Sequence, residues 1–120
     1  MSTRRQTVGR WGEDTAVKYL LAHGYTIQAR NVHTPHGEID IVANKDDLTL
    51  FVEVKTRSSH SFAYPEDSVT HRKQAYMLSA AETYLDQHPE SGETWQFDVI
   101  AVEGQPGGKA HIEHFENVIS

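Results

Sequence analysis

Between residues 8 and 23 the apolar positions Val8, Trp11, Ala16, Tyr19 and Leu20 recur at helical spacing, and Gly24 supplies a stop. The period then shortens. Residues 25–32 read as a strand, Thr34-Pro35-His36-Gly37 is turn chemistry, and residues 38–43 read as a second strand followed by the turn Asn44-Lys45-Asp46-Asp47. Residues 48–56 are the most strand-like stretch of the chain, and residues 58–65 form a polar loop carrying aromatic side chains. A second helix is expected from near residues 66–69 to His88. Its stripe is Val69, Tyr76, Met77, Ala80, Tyr84 and Leu85, closed by Pro89 and Gly92. Residues 95–102 alternate as a fourth strand, 104–108 are a Pro/Gly loop, and 110–119 an edge strand. Residues 1–7 precede the pattern as a short mobile arm. The order α-β-β-β-α-β-β predicts an α/β fold, a mixed central sheet of about five strands flanked by two main helices. At 120 residues the chain is one domain, spanning 1–120.

Three charges break this pattern. Asp40 stands between Ile39 and Ile41, and Glu53 and Lys55 alternate with Val52, Val54 and Thr56. Alternation puts Glu53 and Lys55 on one face, roughly 6.5–7 Å apart along the strand. In an antiparallel hairpin, Asp40 shares that face if it pairs with position 51, 53 or 55. A slip of one residue sends it to the other face. In the favourable register the carboxylates converge on a space suited to a hard divalent cation. Such a cation polarises a phosphoryl oxygen and acidifies bound water, and Lys55 would orient that water and offset developing negative charge. The plainer alternative is a surface Glu53–Lys55 ion pair. Glu13 falls on the inward side of the first helix, where it also suits the helix dipole. Lys73 falls inside the second helix's stripe, where a lysine can also snorkel. One shared polar site accounts for all of them.

Several segments carry a family resemblance: Gly37-Glu38-Ile39-Asp40-Ile41-Val42 and Phe51-Val52-Glu53-Val54-Lys55-Thr56-Arg57, with Gly9-Arg10-Trp11-Gly12-Glu13, Ala29-Arg30-Asn31, Lys73 and Phe97-Asp98-Val99-Ile100. In this order they resemble the YraN-like family of small bacterial proteins, over roughly residues 8 to 102. That family resembles the restriction-endonuclease-like superfamily, whose signature is an Asp followed some residues later by Glu-x-Lys. The resemblance implies metal-binding roles for Asp40 and Glu53 and a catalytic role for Lys55. The signature's usual proline is Ile39 here. Archaeal Holliday-junction resolvases, similar in size and layout, add a first-helix glutamate. Glu13 stands at the matching position, as a third metal carboxylate.

Charge qualifies this picture. Lys and Arg number 11 against 17 Asp and Glu, a net charge of -6. Residues 1–60 carry 8 basic and 7 acidic side chains, and residues 61–120 carry 3 and 10. A polyanion is therefore expected at the first half, with Arg57, Arg10 and Arg30 as phosphate contacts and Arg4 and Arg5 as further candidates, joined by Lys73 from the second half. Each is equally explained as solvated charge. Trp11 fits the core, while Phe62 and Tyr64 are open to a substrate role. His33 with His36, His71, and His111 with His114 lack a convincing zinc set and read as structural or surface residues. Asp98 reads as a structural ion pair.

Cysteine is absent, so disulfide scaffolds and thiolate chemistry are excluded. No apolar run approaches the ~20 residues of a membrane span, and the basic start lacks the apolar core of a secretory signal. A cytoplasmic protein without membrane association is expected. The expected function is Mg²⁺- or Mn²⁺-dependent hydrolysis of DNA phosphodiesters, at branched or damaged structures, by a monomer or homodimer. The competing expectations are a catalytically silent nucleic-acid-binding or protein-interaction module on the same fold, and a structural domain with internal ion pairs.

Overall fold

A computed structural model describes residues 3–57 and 70–119. Helix α1 spans Arg4–Ala22. Strands β1 (Thr26–Thr34), β2 (Gly37–Lys45) and β3 (Leu48–Arg57) follow, then helix α2 (His71–Gln87), β4 (Thr94–Glu103) and β5 (His111–Phe115). The sheet order is β1-β2-β3-β4-β5. All neighbours are antiparallel except β3 and β4, which run parallel because the chain crosses over through α2 between them. This is the mixed five-stranded sheet and the element order expected from the sequence. The loop 58–65, with Phe62 and Tyr64, and the expected start of the second helix at 66–69 lie outside the described residues.

Two boundaries differ from expectation for local reasons. Helix α1 begins at Arg4, not at residue 8, so residues 4–7 are its first turn and not an arm. The cause is a capping box: the Gln6 amide donates to the Thr3 hydroxyl, and the Thr3 amide donates to the Gln6 side chain. Strand β5 stops at Phe115 because the next residues turn back onto β4. Asn117 adopts a φ of 54° and donates its amide to Asp98, and the Val118 amide donates to Phe97 O.

Each helix covers one face of the sheet. Ala16 and Leu20 of α1 pack on Ile41, Ala43, Leu50, Val52, Ile100 and Val102, and Trp11 packs against this cluster as expected. On the other face, Met77, Ala80, Ala81 and Tyr84 of α2 pack on Ile39, Val42, Phe51, Phe97 and Val99. Helix α1 lies directly on the end of β3. A Cβ on buried Gly12 would run into the Thr56 side chain, so only glycine permits this approach.

The alternation of faces is interrupted at two places, a bulge in β1 between Ile27 and Ala29 and a kink that β1 and β2 share. Ile39 faces α2 while Ile41, two residues on, faces α1. In β1, Ala29 and Val32 both face α2, and Asn31 between them has a φ of 52°. Between the pairs Arg30–Ile41 and Val32–Ile39, Asn31 and Asp40 leave the ladder. Asparagine tolerates the left-handed backbone that this kink requires. No helix of the described chain is long and apolar enough to cross a membrane.

Candidate metal centre at the fork of the sheet

The kink opens a fork between β2 and β3. Their pairing runs from Lys45–Leu48 to Ile41–Val52, and its continuation would set Asp40 opposite Glu53, one of the favourable registers. Instead the strands part, and Asp40 Oδ2 accepts the Val54 amide at 2.8 Å. Burial pushes the Asp40 carboxyl up to about 6 against that hydrogen bond, and Glu53, Glu13 and Glu38 add to the rise.

Glu53 sits on the α2 side. Its Oε1 accepts from Lys73 Nζ at 2.9 Å and pairs with Lys55 Nζ at 3.3 Å. Its Oε2 is buried and meets no hydrogen-bond donor among the described residues. The two lysines diverge. Burial lowers the Lys55 pKa and the Lys73 amine lowers it further, with Glu53 in partial opposition. Burial acts in the same sense on Lys73, but its hydrogen bonds to Glu53 and Lys55 and the charges of Glu53 and Asp40 together outweigh it and the pKa is raised.

Glu13, on α1, accepts from Arg30 Nε and Asn31 Nδ2, both at 3.0 Å, through the same oxygen. Arg30 also donates to Asp14 at 2.6 Å, so it holds the acidic face of α1 in the position where a phosphate was expected. Arg10 lines a groove of about 1220 Å³ with Arg4, Arg5, Glu13 and Asp40. A second groove, about 200 Å³, lies on the other side and is lined by Glu53, Lys73 and Tyr76. Arg57 ends β3 beside Glu103 of β4. Sequence reasoning missed Glu38, which lines both grooves. Its place two residues before Asp40 was the available signal.

Glu13, Asp40 and Glu53 thus ring the fork without closing on one point, each held by other partners. Among the described residues, the side chains that bring three donor atoms within 4.8 Å of one another are Asp98, His114 and Glu116. Asp98 is fully buried and accepts from Gln96 Nε2 (2.9 Å) and the Asn117 amide (2.8 Å), with His114 Nε2 at 2.6 Å. The structural pairing read for Asp98 is this contact.

Comparison with known proteins adds a family. The description "Uncharacterised protein family UPF0102" matches residues 12–102. The chain belongs to this family. The YraN-like resemblance agrees with that membership. A UPF0102 protein of Syntrophotalea carbinolica is 45% identical over 115 residues, 96% of this chain and 93% of that one. One from Syntrophomonas wolfei is 44% identical over 110 residues, covering 92% and 95%. One from Bacteroides fragilis is 44% identical over 109 residues, covering 91% and 88%. Among solved structures, SfsA of Pyrococcus furiosus in complex with Ca²⁺ aligns at 15% identity with a TM-score of 0.42, covering 93% of this chain and 63% of that one. The UPF0102 match contains Glu13, Asp40, Glu53, Lys55 and Lys73.

Proposed function

We propose that this UPF0102 protein is a metal-dependent endonuclease that hydrolyses DNA phosphodiester bonds, acting at branched or damaged structures. The observation that carries the reading is Glu53 Oε2, a buried carboxylate oxygen without a donor among the described residues, across the fork from Asp40, whose carboxyl burial pushes up to about 6. Such oxygens fit a hard dication, which would supply both the missing partner and the charge that keeps Asp40 ionised. Asp40 and Glu53 would hold Mg²⁺ or Mn²⁺, with Glu13 as the third carboxylate after release from Arg30 or Asn31. Bound there, the cation would polarise the phosphoryl group and acidify water.

The chain's own groups divide the remaining work. Lys55, beside Glu53, is suited to orient the attacking water and offset the developing negative charge. Lys73, held charged against Glu53, is suited to a phosphate oxygen once the cation displaces it. Arg10, with Arg4 and Arg5, would guide the backbone along the wider groove, and Arg57 would receive it beyond Lys55. A cytoplasmic location and a homodimer with a wider basic surface suit this reading.

A second reading is favoured by the Lys73–Glu53–Lys55 arrangement, which neutralises Glu53 without metal. On it, the fold binds nucleic acid or a protein partner without turnover. Calorimetric titration of Mn²⁺ into wild type, Asp40→Asn and Glu53→Gln, followed by cleavage assays on branched, nicked and single-stranded DNA, separates the two. The nuclease reading expects binding and cleavage in wild type and neither in the variants. Salt-sensitive DNA binding that is equal in all three, with no cleavage, supports the silent module.

A further inference from the structure

We propose that Asp98, His114 and Glu116 form a second metal site, separate from the fork, for a transition-metal dication of the zinc class. The site is assembled from β4, β5 and the turn after it, under α1. Its three donor atoms already lie within 4.8 Å of one another, from side chains buried, half-buried and exposed respectively.

The His114 ring is fixed at both nitrogens. Nδ1 lies 3.0 Å from the Tyr19 hydroxyl, and Nε2 lies 2.6 Å from Asp98 Oδ2. At 2.6 Å, an imidazole nitrogen and a carboxylate oxygen need a positive centre between them. A proton serves when Tyr19 donates to Nδ1. A metal takes the proton's place when Nδ1–H donates to Tyr19, the usual arrangement behind a ligating histidine, and the two donor atoms then part to the roughly 3.3 Å that metal–ligand bonds of about 2.0–2.1 Å set in a tetrahedral site. The Asp98 side chain is oriented independently of the metal by Gln96 and the Asn117 amide, both on Oδ1, which leaves Oδ2 for a cation.

Glu116 supplies the third ligand. Among the described residues it makes no hydrogen bond or ion pair, yet burial raises the pKa of both Tyr19 and Tyr25, and Glu116 and Asp98 add to the rise. Two carboxylates thus lie beside one imidazole. Beside them lies a cavity of about 300 Å³, lined by Tyr19, His23, Tyr25, Lys45, His114 and Glu116. Three protein ligands with a cavity at the remaining position match an open tetrahedral site, with water or a small anion near Lys45 as the fourth ligand. The imidazole separates this site from the fork: nitrogen favours Zn²⁺ or Co²⁺, whereas the all-oxygen fork favours Mg²⁺ or Mn²⁺.

The test is titration of Zn²⁺ alone, by calorimetry at neutral pH, into wild type, His114→Gln, Glu116→Gln, Tyr19→Phe and Glu53→Gln, with Co²⁺ absorption as a second readout. One zinc is expected per chain. His114→Gln should abolish it, Glu116→Gln should weaken it at least about tenfold, and Tyr19→Phe about tenfold through the lost support of Nδ1. Glu53→Gln should leave it unchanged, and wild type should show the intense visible bands of tetrahedral Co²⁺. Glu116 is exposed, so its variant keeps the proposal testable if His114→Gln does not fold. Failure of folded wild type to bind zinc, binding that survives both His114→Gln and Glu116→Gln, or binding lost in Glu53→Gln would each overturn it.

Discussion

The fork and the Asp98 cluster are both carboxylates set into one sheet, yet they are solved oppositely. Asp98 is wholly buried, and each of its oxygens has a partner within 2.9 Å, two of them from the chain segment it pins. Glu53 is more exposed, yet one of its oxygens is buried without a donor among the described residues, and Asp40 beside it is pushed up to about 6. A fold can satisfy a buried carboxylate when it has polar neighbours to give. Here it does so at one place and withholds it at another, the pattern expected where stability yields to function.

The sharpest way to break this contrast is at Glu53. Glu53→Ala should eliminate metal-dependent cleavage while leaving circular dichroism unchanged, and Lys55→Met should slow cleavage roughly 10²–10³-fold. Full activity in Glu53→Ala would dissolve the functional side of the comparison. Asp98→Ala should do the reverse, losing about 3 kcal/mol in urea denaturation by leaving His114, Gln96 and the Asn117 amide without their acceptor.

Asp40→Asn should go the other way and stabilise. Its folded-state pKa is raised, so the stabilising protonated form is complete below about pH 3.8 and lost as pH rises through about 6. The variant, which never ionises, should gain up to about 3 kcal/mol at pH 8 and nothing at pH 3.5, read from denaturation at both pH values. A smaller effect sharpens the boundary of the contrast. Thr3→Ala touches neither cluster and should cost about 1 kcal/mol through the lost cap, seen as fraying of the turn that carries Arg4 and Arg5.

Much of the fork was legible in the chain, because strand alternation fixes the common face of Glu53 and Lys55 without tertiary information. The register of Asp40 stayed open in the sequence, because a one-residue slip inverts the strand, and only the observed hairpin, continued one rung, sets it opposite Glu53. Lys73 was legible as a charge inside an apolar stripe. The holding of Glu13 by Arg30 and Asn31 was not, since it depends on a kink that no period reveals. Nor was the Asp98 cluster: Tyr19 and His114 lie 95 residues apart and meet only when α1 crosses the sheet beside β5. The early start of α1 was visible in principle, as Thr3 followed three residues later by Gln6, but the arginines between them masked it as a tail.

The paired kink also bears on how such chains can change length. Asn31 and Asp40 leave the β1–β2 ladder at the same rung, so both strands turn over together and stay in step. Deleting a residue from one strand alone would invert half of it, sending Val32 or Ile39 into water. Matched deletions from both would restore every side chain to its face while erasing the fork. Insertions and deletions at this rung would therefore have to come in pairs to keep the faces, and loss of the pair would keep the shape and remove the carboxylate pocket in one event.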